Sequence, residues 1–372
     1  MEKKNSKKEN KNNLFRNFII LLIVFLLGAA AMYYGMTNFK SESTVINKSQ
    51  KNVTITDTGI ADSVEKLYDS VVVVEVFQND TLAASGTGFV YQSKGNKAYI
   101  LTNNHVVKGA KNVKVMFTNK KEMDAKIEGN DEYSDLAVLS VENADNIVVA
   151  SIGDTSKSRL GDTVFTIGAP LDTTYYWTVT RGVLSGKERM VEVSTDNQSA
   201  DYVMKVLQTD ASINSGNSGG PLANANGEVI GITNMKLVSD GVEGIGFAIP
   251  IEDAVQFANL IISGEKIKRP LLGIKMIDLT DRYTLYQQGI TLNTELTSGV
   301  VVIEVQKGSP ADKAGLKRGD IITKLNDEEI KNLASLRYHL YKQNVGDVIT
   351  LTFERSEKTQ STKVKLNMTN DE

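Results

Sequence analysis

The chain has 372 residues, 41% of them hydrophobic and 23% charged, with a net charge of −3. That length and balance describe two or three globular domains and exclude a disordered or low-complexity chain. It holds no cysteine and two histidines, His105 and His339, which excludes a disulfide framework, an iron–sulfur or cysteine–zinc site, a cysteine nucleophile and a histidine-rich metal centre. No metal and no cofactor is expected.

Residues 1–17 carry six basic side chains against two acidic ones and read as a basic cytoplasmic tail. Residues 18–38 follow without a charge. As a helix, about 20 such residues rise about 30 Å, enough to cross the hydrocarbon of a bilayer. The basic flank stays in the cytoplasm, so a single-pass membrane anchor with everything beyond it extracytoplasmic is expected. A cleavable leader is the alternative, suggested by Ala29-Ala30-Ala31. The bulky Met32-Tyr33-Tyr34 that follows and the length of the apolar run favour an anchor. Without its tail the chain is acidic, which argues against nucleic-acid binding. Residues 39–61 are polar and read as a linker. A short helix is expected over 62–68, capped by Asp62 or Ser63.

From Ser70 the pattern turns to β. Strands are expected at Val71–Phe77, Gly86–Tyr91, Ala98–Thr102, Val113–Phe117, Asp124–Glu128 and Leu136–Val141, and again at Val164–Gly168, Thr178–Ser185, Tyr202–Thr209, Pro221–Ala223, Val229–Asn234 and Gly246–Pro250. Short strands at near-regular spacing suggest closed barrels, about 64–160 and 161–264. A helix over Ile251–Ile262 closes the set: Ala254, Phe257, Ala258 and Ile261 share a face, and Gly264 stops it.

Three segments inside this region carry chemistry. Thr102-Asn103-Asn104-His105-Val106-Val107 follows a strand, Ser134-Asp135-Leu136-Ala137-Val138-Leu139 opens one, and Gly216-Asn217-Ser218-Gly219-Gly220-Pro221 sets a serine among glycines. A serine there presents its hydroxyl, and the glycines let backbone N–H groups of Gly216 and Ser218, with Asn217 between them, converge as an oxyanion hole. His105 is the only histidine outside the C-terminal domain and is the expected base. Asp135, held at the start of a strand, would orient it.

The order His, Asp, Ser resembles the trypsin-like serine proteases. With TNxHV, SDLAVL and GNSGGP together, it most resembles their HtrA (DegP/DegS-like) branch. Beyond a charged hinge at 265–270, Ser309-Pro310-Ala311-Asp312-Lys313-Ala314-Gly315-Leu316 and Gly319-Asp320-Ile321-Ile322 resemble a PDZ domain, placed at 270–368. The resemblance implies an all-β, trypsin-like double β-barrel over 62–264, an α+β PDZ domain and an N-terminal transmembrane helix. It implies an ATP-independent serine endopeptidase degrading unfolded or damaged extracytoplasmic polypeptides through an acyl-enzyme, and a homotrimer. A chaperone or PDZ scaffold, and a regulatory protease cleaving one membrane signalling protein, are the alternatives. By the same resemblance the strand Gly231–Met235, with Thr233, Asn234 and Met235, pairs with substrate backbone, and Ile213 lines a primary pocket for small aliphatic residues. Leu271, Leu272, Gly273 and Ile274 form the loop that captures C-terminal carboxylates, with Leu336 and Leu340 in its apolar pocket. Asp210 is expected to be structural.

Overall fold

The computed structural model describes residues 5–38, 58–79, 81–142, 146–169, 176–193, 202–234 and 244–370. The chain divides into two compact units, Met1–Thr54 and Ile55–Glu372. In the first, a single helix α1 runs over Asn5–Asn38. Its stretch Phe15–Tyr34 has 20 residues, a mean hydropathy of 2.2 and no buried part. That is the length and apolarity of a membrane anchor or a signal sequence.

The second unit opens with α2, Thr58–Tyr68. It starts before Asp62, so neither Asp62 nor Ser63 is a cap. Ser63 instead lies inside the helix and donates its hydroxyl to the Ala225 carbonyl at 2.5 Å, while Leu67 is buried in the core. Residues 39–57 of the expected linker lie outside the described residues.

Six strands follow: β1 (Val71–Gln78), β2 (Thr81–Lys94), β3 (Lys97–Asn103), then, after the short helix α3 (Asn104–Val107), β4 (Asn112–Met116), β5 (Glu122–Asp131) and β6 (Leu136–Glu142). They close in the order β1-β2-β3-β6-β5-β4. A second set, β7 (Thr163–Gly168), β8 (Thr178–Val193), β9 (Tyr202–Thr209), β10 (Pro221–Asn224), β11 (Val229–Thr233) and β12 (Gly246–Pro250), closes as β10-β11-β12-β9-β8-β7. This is the expected trypsin-like double barrel.

The valine run of β1 shows why the barrels pair. Val72, Val74 and Val76 point into the first barrel with Val90, Ile100, Val115 and Leu139. Val71 and Val73 point outward, into a cluster with Phe89, Leu101 and Val138 and with Phe165, Ile167, Ala223 and Ile232 of the second barrel. Both faces of the strand are buried, so the sequence reads as a continuous apolar run and not as an alternation. Phe89 and Phe165 are among the largest fully buried side chains, and burying each contributes about 1.5–3 kcal/mol. Helix α4 (Ile251–Ile262) adds Ala254, Phe257 and Ala258 to the same cluster.

The remaining chain forms a sheet ordered β13-β14-β15-β17-β18, made of β13 (Ile274–Asp278), β14 (Val300–Val305), β15 (Ile321–Leu325), β17 (Val348–Arg355) and β18 (Lys358–Lys365), with the two-residue β16 (Glu328–Glu329) on β15. Helices α5 (Arg282–Gln287), α6 (Pro310–Lys313) and α7 (Leu333–Tyr341) complete it. Ser309 caps α6 by accepting the Asp312 N–H, and Asn332 caps α7 by accepting the Ser335 N–H at 2.9 Å. The Asn332 amide also donates to Glu192 of β8 at 2.7 Å, so α7 is tied to the second barrel.

One polar residue lies within the valine run. Glu75 is buried and accepts the Tyr176 hydroxyl at 3.1 Å. Burial pushes its carboxyl above the usual carboxylate range, and the Tyr176 bond offsets only part of that. The folded chain therefore holds this proton more tightly than the unfolded chain. The stability linked to it is present at low pH and is lost as pH rises through the folded pKa. Glu75→Gln keeps the acceptor and removes the titration. Its melting temperature should exceed that of the parent at about pH 7, with the gap closing by about pH 4, in parallel calorimetric scans.

Candidate active site

Register brings the first two groups together. In the β3–β6 ladder Thr102 faces Ala137 and Asn103 faces Leu136. His105, just past the end of β3, therefore lies across from Asp135, just before β6. The Asp135 backbone is left-handed (φ 51°), an uncommon state for a residue that is not glycine. The state is held on several sides. The Asp135 carbonyl accepts the Asn103 side-chain amide at 2.9 Å and the Asn104 N–H at 3.0 Å. Its Oδ1 accepts the His105 backbone N–H at 2.8 Å, and its Oδ2 accepts His105 Nδ1 at 2.6 Å and the Asn234 amide at 2.8 Å.

A carboxylate accepts only, so this contact assigns the proton to Nδ1 and leaves the Nε2 lone pair outward in the neutral ring. The Asp135 side chain is 1% exposed and that of His105 29%. The carboxylate is thus shielded from water while the imidazole keeps one open edge.

Ser218 lies on the turn between β9 and β10. Gly216 (φ 100°) and Gly219 (φ 85°) both take conformations that side chains rarely adopt. Thr87 of β2 grips this turn from the other barrel. Its N–H donates to the Ser218 carbonyl at 2.9 Å, its hydroxyl donates to the Gly216 carbonyl at 2.6 Å, and the same hydroxyl accepts the Ala169 N–H at 3.0 Å. Thr102, three residues before His105, donates to the Thr87 carbonyl at 2.7 Å. A Cβ on Gly86 would come within 2.7 Å of Val106 and 3.3 Å of the Ser218 carbonyl, and one on Gly219 would strike Thr102. The serine turn is therefore packed directly on the segment that carries His105.

The Asn217 N–H donates to the Asn214 carbonyl at 3.0 Å. It is thus engaged within the turn, in keeping with a place between the two expected donors and not as one of them. The Gly216 N–H has no acceptor among the described residues.

Known proteins resemble the chain in both of its β domains. Residues 86–232 match the trypsin-like peptidase domain family and residues 270–366 the PDZ domain family. Serine protease Do-like HtrB of Bacillus subtilis is 38% identical over 92% of this chain and 79% of its own length. Serine protease Do-like HtrA of Lactococcus lactis subsp. cremoris is 35% identical over 91% of each. The chain belongs to the HtrA family of serine proteases. Serine protease Do-like HtrA of B. subtilis is 44% identical over 77% of this chain, and the match spans 64% of that protein. Among solved structures, the HtrA-type protease AlgW with decapeptide superposes with a TM-score of 0.61 at 26% identity, covering 82% of this chain and 97% of its own.

In this HtrA-family chain several residues expected to bind substrate have other partners in the structure. Strand β11 is paired on both edges, with Ile232 facing Pro221 and Ile249 and Thr233 facing Ala248. No edge at 231–233 is open for a substrate strand. The Thr233 hydroxyl donates to the Asn217 carbonyl at 2.5 Å, behind the serine turn. Asn234 is buried against Asp135, so it is a support of the acid and not a wall of the substrate cleft. Met235 lies outside the described residues. Ile213 is buried, and a Cβ on Gly246 would come within 2.6 Å of it. Asp210 accepts the Val183 N–H at 2.6 Å and serves the barrel.

In the PDZ domain, Leu271, Leu272, Gly273 and Ile274 line a cavity of about 420 Å³ with Leu340 and Met368. Leu336 does not line it; it is wholly buried in the domain core. Burial pushes the His339 imidazole down, its ring packs edge-on to Tyr338, and no cluster of metal-ligating side chains occurs among the described residues.

Thr87 and the support role of Asn234 were missed by sequence reasoning. The glycines flanking Thr87 were the available signal, since a Cβ on Gly88 would come within 2.8 Å of Ile100. Thr87→Val keeps the shape and removes the hydroxyl. It leaves buried partners unpaired at a cost of about 1–3 kcal/mol, so kcat/KM on a peptide substrate should fall about 10- to 100-fold.

Proposed function

We propose that this chain is a membrane-tethered, ATP-independent serine endopeptidase with Ser218 as nucleophile, His105 as base and Asp135 as its orienting acid. The observation that carries the reading is the 2.6 Å contact of His105 Nδ1 with the buried Asp135 carboxylate, beside a serine turn packed on the same strand. Ser218 Oγ attacks the scissile carbonyl carbon while its proton passes to His105 Nε2. The resulting oxyanion is met by the N–H groups of Gly216 and Ser218. His105 returns the proton to the leaving amine, and the acyl-enzyme forms. Water, deprotonated by the same ring, attacks the ester and releases the acid.

The substrates are unfolded or damaged extracytoplasmic polypeptides, cleaved after small or medium aliphatic residues. The buried, apolar Ile213, with the uncharged Ser212 and Asn214 on either side of it, supports an apolar preference. Helix α1 anchors the chain with its N-terminus in the cytoplasm. The active species is a homotrimer, as the family resemblance implies. Peptide C-termini bind at the PDZ cavity. The AlgW structure named above, which contains a decapeptide, supports peptide binding here.

Ser218→Ala should lower kcat on unfolded casein by about 10⁶-fold, and it should abolish labelling by a fluorophosphonate. Retained casein cleavage would exclude Ser218 as nucleophile. Asp135→Asn should leave the fold intact and lower kcat by about 10⁴-fold, because an amide N–H aimed at Nδ1 selects the wrong tautomer. Mass-spectrometric mapping of casein cuts should find Val, Ala or Ile before the scissile bond; a majority after Lys or Arg would overturn the pocket assignment.

A further inference from the structure

Three consecutive residues clasp Asp135. The Asn103 side-chain amide and the Asn104 N–H donate to its carbonyl at 2.9 and 3.0 Å, and the His105 N–H and Nδ1 donate to its carboxylate at 2.8 and 2.6 Å. Carbonyl and carboxylate hang from the same short backbone, whose left-handed turn (φ 51°) persists in a residue with a side chain only when its surroundings hold it. Among the described residues Asn103 is the one side chain bonded to that carbonyl.

Asn103 is not a choice that stability favours. It is fully buried at the end of β3, facing Leu136, and its Oδ1 meets no donor among the described residues. Turning the amide over would not help, because Oδ1 would then face the Asp135 carbonyl and two acceptors repel. A buried oxygen left without a donor destabilises a fold, whereas an apolar side chain of the same shape is nearly neutral or stabilising. Asn217, next to Ser218, and Asn234, bonded to Asp135, leave their Oδ1 atoms in the same condition. Three amide oxygens of this kind around one site are the pattern expected where polar groups are kept for chemistry at a cost in stability.

We propose that Asn103 is a positioning residue: its amide fixes the Asp135 peptide so that the carboxylate is aimed at His105 Nδ1. It acts only through Asp135. Without it the carbonyl is held by the Asn104 N–H alone, the left-handed turn loosens, and the carboxylate shifts with it. The imidazole is then held less firmly in the orientation that proton transfer uses. The inference rests on the triad reading given above and adds a residue to the support of its acid.

The test is a double-mutant cycle in the full chain in detergent. The substrate is an internally quenched peptide with Val before the scissile bond, and kcat is taken per folded chain from calorimetry. Asn103→Leu keeps the volume and removes both the amide donor and the unpaired oxygen. Its kcat should fall about 10- to 100-fold, since a misplacement of about 1 Å is enough for that. KM should stay within about twofold, because uniform binding of substrate is untouched, and the melting temperature should not fall. In the Asp135→Asn background the same substitution should change kcat by less than about threefold, because the carboxylate that Asn103 aims is already gone. A role in stability alone would give a lower melting temperature and the same factor in both backgrounds. Equal factors, or an unchanged kcat in the folded Asn103→Leu chain, would overturn the proposal. If Asp135→Asn by itself leaves kcat unchanged, the triad reading falls and this inference with it, so the two failures are told apart. If Asn103→Leu does not fold, Asn103→Ala goes through the same cycle with the same expectations for kcat and KM.

Discussion

The hydroxyl and N–H of Thr87 reach from the first barrel to the Gly216 and Ser218 carbonyls of the second, and the candidate site rests on that pair of bonds. Each barrel closes on its own, with its own interior. What relates them is the apolar layer between, in which Val71, Val73 and Phe89 meet Phe165, Ile167 and Ile232. The layer supplies adhesion without direction. Thr87 supplies direction, because a hydroxyl that donates to one carbonyl and accepts one N–H fits a single placement. The glycines around it, at 86, 88 and 219, are needed because backbone and side chains approach too closely for any Cβ.

Asp135 shows how a buried charge is made tolerable. Its carboxylate has almost no contact with water and accepts from the His105 backbone, the His105 ring and the Asn234 amide. Three donors replace the lost hydration, in line with the rule that buried charge must be paired and hydrogen-bonded. The donors come from two places: two from His105 in helix α3, and one from Asn234, the residue after β11. The acid is thus set by both barrels, and the imidazole takes its tautomer from the acid.

The turn from Asp131 to Asp135 has a second set of neighbours. Arg269 pairs with Asp131, and Tyr133 reaches the PDZ cavity. A short segment therefore touches the hinge, the PDZ cavity and the histidine. Asn332 bonded to Glu192 is a separate tie between PDZ domain and barrel. Bidentate Arg–carboxylate pairs shielded from water hold geometry better than exposed ones, which suits a segment that also keeps Asp135 in a left-handed conformation.

The His105–Asp135 pairing and the glycine-flanked turn of Ser218 were legible from residue type: one histidine outside the PDZ domain, an acid at a strand start, a serine among glycines. The strands and α4 were legible from apolar runs and glycine stops. The start of α2 was not, since Gly59 in its first turn weakens the helical pattern there. Neither were the filled edges of β11, the burial of Leu336, or the partners of Thr87 and Asn234, because a short apolar run reads alike whether one edge or both are paired. Arg269 and Asp131 stand 138 residues apart, and nothing local in either marks the other. The sequence by itself determined the chemistry, the two-barrel and PDZ plan and the apolar helix, all of which follow from residue type and short-range pattern. Only the tertiary structure decided which side chains hold Asp135, which strand edge is closed and which residues wall the PDZ cavity, because those depend on register and packing between segments distant along the chain.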